Sequence, residues 1–320
     1  MDSARTLISI VIPCYNQGHY LDEALTSAIS ARYRVEAIVV DDGSTDDTPA
    51  VAARHAAARY VRQENRGLAA ARNRVLEAAT GDLVIFLGAD DRLLSGGVDA
   101  GVRALAAHPE CAMAYGRCVM IGSDGTEWPT PQQRRVLSGH HAVLLRTNPI
   151  WSPAMAIFRR AALVDAGGFA AGFDGSADYD LYLRIARDHP VLDHGVLVAA
   201  YRRHDASMSS SAGRMLRDTL AVMKRHRPDA GAPAQLEAWE EGCAAWQDFY
   251  GTQLTEEIRA HVQERQLVAA IGKSCALARH APAVFRREAR RKLRTVLPSG
   301  GATPDAQSRP PRYQRQAGAQ

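Results

Sequence analysis

The sequence predicts an α/β fold, a doubly wound, mostly parallel sheet followed by an α-helical C-terminal region. Three observations carry this. Apolar runs of strand length alternate with segments of helical periodicity through about residue 95. The run Leu83–Leu87 has no polar break, as in a strand buried on both faces. Beyond about residue 212 only helical patterns remain.

Leu7–Ile12 reads as the first buried strand, which Pro13 ends, and Cys14–Gly18 as a loop. Leu21, Ala24, Leu25, Ala28 and Ile29 recur at helical spacing. Ala37–Val40 is the second strand, and Thr48-Pro49 starts a helix with Pro at its first position. Tyr60-Val61 is a short strand, and Gly67–Ala79 an Ala-rich helix stopped by Gly81. The strand Leu83–Leu87 follows and runs into Gly88-Ala89-Asp90-Asp91. Next come a helix over Ser95–His108, a strand over Ala112–Met120 and a turn cluster at Ile121–Thr126. Residues 127–150 hold no clear pattern. Ala154–Arg159 and Val196–Tyr201 read as strands, with a helix beginning near Ser176 between them. Arg214–Arg225, Ala234–Tyr250 and Glu256–Ala278 are helical. In the last helix Phe285, Ala289, Leu293 and Val296 form an apolar stripe opposite Arg286, Arg287, Arg290, Arg291 and Arg294. From Pro298 onward the composition is that of a disordered tail.

The 320 residues suffice for a sizeable core. A net charge of +4 gives no argument for a nucleic-acid partner, and the basic excess lies late in the chain. Five scattered cysteines without metal spacing suggest a reducing compartment. No apolar run reaches membrane-span length and no signal-peptide pattern opens the chain, so a cytoplasmic protein is expected. The basic amphipathic last helix suits either peripheral contact with the inner face of the plasma membrane or docking on the catalytic domain, and docking is the simpler reading.

Adjacent carboxylates at the mouth of a central strand are costly unless paired. Ligands of open parallel sheets bind at the carboxyl ends of the strands. Mg²⁺ or Mn²⁺ carrying phosphate oxygens would meet both conditions at Asp90 and Asp91; the plainer alternative is an acidic turn. A dinucleotide-binding fold is disfavoured, because Pro13–Gly18 replaces the glycine-rich phosphate loop.

Four blocks carry a resemblance. Ser9–Asn16, Ile38–Asp46, Asn65–Asn73 and Phe86–Asp91 resemble, in order and spacing, the motifs of family 2 glycosyltransferases. The resemblance implies a GT-A fold and an inverting transfer from a nucleotide-sugar to a glycan or lipid-linked acceptor, with Mg²⁺ or Mn²⁺. It places Pro13, Tyr15, Asn16 and Asp42 at the base and ribose, Gly67 and Arg72 at the diphosphate, and Asp90, Asp91 and His204 at the metal. Gly88 stands where many relatives carry the first Asp of an Asp-x-Asp pair. Ser176–Arg184 resembles the family's Glu-Asp-x-Asp-Leu helix, with Ala177 for the Glu. On that helix Asp178 shares the apolar side of Leu181, Tyr182 and Ile185 and is the expected general base. Asp180 shares the side of Arg184 and Arg187, where solvated ion pairs are expected. The expected domains are 1–211 for catalysis (a nucleotide-sugar half to about 95, an acceptor half from about 96), 212–297 for the helices and 298–320 for the tail. Trp128, His140, His141, Asn148 and Trp151 are acceptor-side candidates, each more simply read as structural. A nucleotidyltransferase and a catalytically inactive nucleotide-sugar-binding relative are the alternatives; Gly88 and Ala177 support the second.

Overall fold

The computed structural model describes residues 6–30, 33–205 and 207–296, with side chains to residue 292. The expected tail lies outside them. The first half is built from β-α repeats: β1 (Leu7–Cys14), α1 (Gly18–Ile29), β2 (Arg34–Asp41), α2 (Thr48–Ala53), β3 (Ala58–Arg62), α3 (Leu68–Ala78) and β4 (Leu83–Phe86). Both faces of β1 and all of β4 are buried, which is why their sequences do not alternate. These strands pair in parallel in the order β3-β2-β1-β4. The chain therefore winds outward from β1 in one direction and resumes on its other side with β4. Such a switch point opens a crevice at the carboxyl ends of the two strands, here at Pro13-Cys14 and at Gly88–Asp91.

The second half supplies β5 (Arg92–Leu93), α4 (Gly97–Ala107), β6 (Met113–Ile121), β7 (Glu127–Trp128), α5 (His140–Arg146), β8 (Ala156–Arg159), α6 (Arg160–Asp165), α7 (Ala177–Asp188) and β9 (Val191–Arg202). β8 is antiparallel to β4 and β6, while β9 runs parallel to β6 through irregular register near Arg117. β9 is long enough to carry the chain back to the acidic pair, where it pairs with β5. The strands β5 and β7 and the helix α5 lie in segments whose local sequence holds no signal.

Four helices follow: α8 (Ala212–Arg225), α9 (Pro233–Gln263), α10 (Leu267–His280) and α11 (Pro282–Val296). The expected break between Tyr250 and Glu256 is absent. Gly251 is a packing position inside α9, where a Cβ would stand 3.0 Å from Ala281 Cβ and 3.1 Å from Val284 Cγ2. The break falls at Arg265, in the left-handed region at φ 60°. α9 also packs on the α/β part of the chain. Gly242 lets it touch α5, since a Cβ there would meet Leu145 O at 1.9 Å. Trp239 Nε1 donates to Met223 O at 2.6 Å and Trp246 Nε1 to Tyr179 OH at 3.3 Å. α11 docks on α9 through Ala281, Val284 and the Glu288–Arg259 ion pair, with Arg287 paired to Asp248. The buried stripe thus begins at Val284, and Phe285, expected to be buried, is exposed.

Candidate active site

The carboxyl end of β4 gathers the site. Gly88 leaves room there for Asp90 and Asp91: a Cβ would lie 2.7 Å from Asp90 Oδ1 and 3.1 Å from Asp91 Oδ2. The space a first Asp would take is occupied by the two that follow. Asp91 is buried; its Oδ1 accepts Arg202 N at 2.9 Å and its Oδ2 accepts Ser152 Oγ at 2.8 Å. Burial and the neighbouring Asp90 carboxylate push Asp91 well above the usual carboxylate range. Asp90 faces outward, and its Oδ2 lies 3.1 Å from His204 Nε2. The expected metal trio therefore divides. Asp90 and His204 form a pair at the strand end, while Asp91 spends both oxygens holding β9 and the segment before β8.

Arg202, which sequence reasoning passed over, organises this junction. It is fully buried, donates through Nε to Asp90 O at 2.6 Å and through an Nη to Gly122 O and Ser123 O, and pairs with Glu23. Its guanidinium also lies over the Tyr20 ring, 4.7 Å from the centroid. Nothing local in the sequence distinguishes it from Arg203.

At the end of β2, Asp41 is buried and closes its own turn: Oδ1 accepts Ser44 N, and Oδ2 accepts Tyr60 OH and an Arg62 Nη. Asp42 ties the turn to the start of α3. Its Oδ1 accepts Gln63 Nε2 at 2.7 Å and Arg66 N at 2.9 Å, and its Oδ2 accepts Gly67 N at 2.9 Å. A carboxylate offers about four acceptor directions, so Asp42 keeps little spare capacity. Asn16, left-handed at φ 53°, pins the loop after β1 by accepting Thr45 N on Oδ1 at 2.8 Å. Pro13 is buried and Tyr15 is 50% exposed, its ring free of neighbouring aromatic rings among the described residues.

Gly67, at φ 87°, opens α3, and Asp174 stands 3.5 Å from where its Cβ would be. One turn on, Arg72 is buried with its guanidinium 4.9 Å from the centroid of Phe169. Its Nε has no hydrogen-bond partner among the described residues. Burial depresses its pKa; Asp178, Tyr182, Asp174 and Asp91 act against that. A buried cation that rests on an aromatic face and near acids, with a donor to spare, can take an anionic group.

Asp178 begins α7, next to buried Ala177 at the position of the family's Glu. Among the described residues its carboxylate accepts Tyr179 N at 2.9 Å and no side-chain donor. Burial raises its pKa and Arg72 pulls it back. The expectation for Asp180 fails. It is 0% exposed, accepting Arg184 Nε and His226 Nε2, each at 2.9 Å. These partners hold its pKa below the usual range against burial. Arg187 pairs with Asp188 instead. The reason is that α7 is covered on both sides, by the sheet and by α8 and α9, so it has no solvated face in its first two turns. α9 reaches this turn too. The Thr219 hydroxyl is 2.9 Å from Ser176 Oγ, and burial with the charges of Tyr201 and Asp178 raises the pKa of Tyr250 on α9.

The acceptor-side candidates scatter. Trp128 is exposed beside Gly122, His140 Nδ1 lies 3.4 Å from Tyr115 OH, and Asn148 Oδ1 accepts Ile150 N at 3.0 Å. His141 is half-buried, with Nε2 unpartnered, and Trp151 packs on the core.

Among the described residues no group of three or more His, Cys, Asp or Glu is placed to hold a metal. Asp90 and His204 supply one hard oxygen and one imidazole. That suits a Mg²⁺ or Mn²⁺ ion that keeps waters and takes phosphate oxygens.

A switch-point sheet with this cluster at its carboxyl ends is the build of a GT-A glycosyltransferase. The chain belongs to glycosyl transferase family 2, whose profile matches residues 9–167. It is 31% identical to the Mycobacterium tuberculosis protein MT1568 over 248 residues, 71% of this chain and 76% of that one. It is 31% identical to the O-antigen biosynthesis protein RfbC of Myxococcus xanthus over 66% of this chain and 17% of the relative. The figures for the chondroitin synthase of Escherichia coli are 27%, 58% and 27%. The chain thus spans about a sixth to a quarter of these two longer proteins. In fold it resembles a mannosyltransferase from Pyrobaculum calidifontis solved with GDP-Man and Mn²⁺ (TM-score 0.58, 21% identity, 92% of this chain and 86% of that one). It likewise resembles S. aureus TarS 1–349 solved with UDP-GlcNAc (TM-score 0.57, 16% identity, 85% and 90%).

Proposed function

We propose that this glycosyltransferase is an inverting, metal-dependent enzyme that moves a sugar from a nucleoside-diphosphate sugar to an acceptor hydroxyl in the synthesis of a polysaccharide, glycolipid or other cell-envelope glycan. It works, in this reading, on the cytoplasmic side of the plasma membrane and in peripheral contact with it. The observation that carries the reading is Arg72, a buried guanidinium with an unpartnered Nε, at the start of α3 and in electrostatic contact with Asp178. An anionic ligand at the switch point would give this cation the hydrogen-bond partner it lacks among the described residues. Fold neighbours solved with GDP-Man and with UDP-GlcNAc agree with a nucleotide-sugar donor and leave the base open.

Pro13, Tyr15, Asn16 and Asp42 bind the base and ribose, Asp42 with its one remaining acceptor direction. Gly67 N is spent on Asp42, so Arg72 is the main contact for the diphosphate, with Asp90 at its far side. Asp90 and His204 would hold Mg²⁺ or Mn²⁺, which supplies charge neutralisation on the departing diphosphate; Asp91 holds them in place through Arg202. Asp178 accepts the proton of the acceptor hydroxyl as its oxygen bonds to the anomeric carbon. The bond from that carbon to the phosphate oxygen breaks on the opposite face, which inverts the centre.

A thermal-shift screen of nucleoside diphosphates with Mn²⁺ ranks the bases, since a ligand of the folded state raises Tm. Donor hydrolysis with and without EDTA then tests the chemistry. Asp90→Asn is expected to keep its fold and lose metal-dependent turnover. Equal activity in excess EDTA removes the metal, and nucleotide binding without turnover leaves a binding protein.

A further inference from the structure

The first turns of α10 expose an apolar face that nothing among the described residues covers. Val268 is 87% exposed, Ile271 64% and Leu267 59%, and Val262 just before the helix is also exposed. Gly272 opens onto empty space, and Cys275, one turn beyond Ile271, is exposed as a free thiol. The opposite side of the same helix is conventional: Ala270 and Leu277 are buried against α8 and α9. α10 is therefore apolar on both sides near its start, which a soluble helix has no reason to be. α11 follows after the single residue Ala281 and is strongly basic on its outer surface. Arg279, Arg286 and Arg290 are exposed, and none has an ion pair among the described residues. Phe285 is exposed among them.

We infer that the start of α10 and the outer face of α11 form a docking surface for an anionic lipid bilayer. Leu267, Val268 and Ile271 enter the headgroup boundary while Arg279, Arg286 and Arg290 meet lipid phosphates. The charge decides the occupant: a second copy of this chain would bring the same arginines against each other, whereas an anionic bilayer complements them. No helix among the described residues is long and apolar enough to cross a membrane, so contact would be made at the surface. The inference rests on the peripheral placement proposed above and is independent of the transfer chemistry.

The experiment uses the full chain and vesicles of phosphatidylcholine alone or with phosphatidylglycerol. Cosedimentation is expected with the anionic vesicles, weakening with salt. The double variant Val268→Asp/Ile271→Asp, which changes exposed positions only, should lose at least tenfold in vesicle affinity while keeping donor hydrolysis and Tm. Arg286→Gln/Arg290→Gln should lose about fivefold per charge on anionic vesicles alone. Binding that is equal on neutral vesicles, or that survives the Val268/Ile271 variant, overturns the proposal. So does a concentration-dependent dimer in light scattering that the same variant abolishes while vesicle binding is absent. Normal vesicle binding by a protein without donor hydrolysis would instead refute the proposed enzyme and leave this surface standing.

Discussion

Two carboxylates two residues apart on α7 should separate activity from stability. Asp178→Asn removes the proton acceptor with little change of shape, so kcat should fall about 10²–10⁴-fold. Its folded-state pKa is raised, so its ionised form at neutral pH is less favourable in the protein than in water. Removing that charge should leave Tm unchanged or higher at pH 7. Asp180 has the opposite sign. Its pKa is lowered by His226 and Arg184, so it contributes stability above the ordinary carboxylate pKa of about 4, and this is lost as pH falls through the depressed value. Breaking such a buried pair costs about 3 kcal/mol at the lower end. Asn keeps an acceptor for Arg184, which also donates to Ala166 O and Gly168 O, so the lower end applies. At about 2.1 cal/mol/K of unfolding entropy per residue, that is a fall in Tm of about 4–5 °C for a chain of 320 residues. Thermal unfolding at pH 7 and steady-state kinetics, with donor affinity measured separately, decide the matter. An Asp180→Asn protein with wild-type Tm and no turnover, beside a fully active Asp178→Asn, would refute both assignments.

Arg72→Gln should weaken donor binding about ten- to a hundredfold, as expected for a charge-assisted contact. Because Arg72 lowers the pKa of Asp178, its loss should also move the acid limb of kcat/KM to higher pH; a limb that stays in place would separate the two residues. Arg202→Met should cost about 1–3 kcal/mol, leaving the carbonyls of Asp90 and Ser123 without this donor and Glu23 with Arg92 as its remaining partner. It should also lower turnover by displacing Asp90, and a well-folded, fully active variant would show that the junction is held otherwise.

The first half of the fold was legible because its signals are local. Apolar runs give β1, β2 and β4, and helical spacing gives α1 and α3; a chain buried on both faces leaves no other use for these patterns. β5, β7 and α5 were not legible, since each exists through a distant partner: β5 pairs with Ala199 and Ala200 of β9, and α5 rests on α9 through Gly242. The break expected after Tyr250 failed for a related reason, because the next residue, Gly251, lies inside α9. A helix-interior glycine can mark an end or a close approach, and only the position of Ala281 and Val284 tells which. Asp90, His204, Arg72 and Asp178 can be singled out in the sequence as residue types, whereas the different settings of Asp90 and Asp91 depend on Arg202 N and Ser152 reaching Asp91 from other segments.

The misreading of Asp180 shows where face arguments stop. Sequence reasoning gave α7 one apolar side and one solvated side. Yet Tyr179 and Leu183 are apolar too, and with Leu181, Tyr182 and Ile185 they leave no direction for water. All five are buried. In helical turns this deeply buried, a carboxylate is placed by its partners and not by its neighbours in sequence. Asp180 finds Arg184 one turn away and His226 at the end of α8, and between them they use both its oxygens. Asp178 has one backbone hydrogen bond and, at a distance, the equally underused Arg72. The two groups left short of partners share one place in the protein, where an acceptor hydroxyl and a diphosphate would satisfy both.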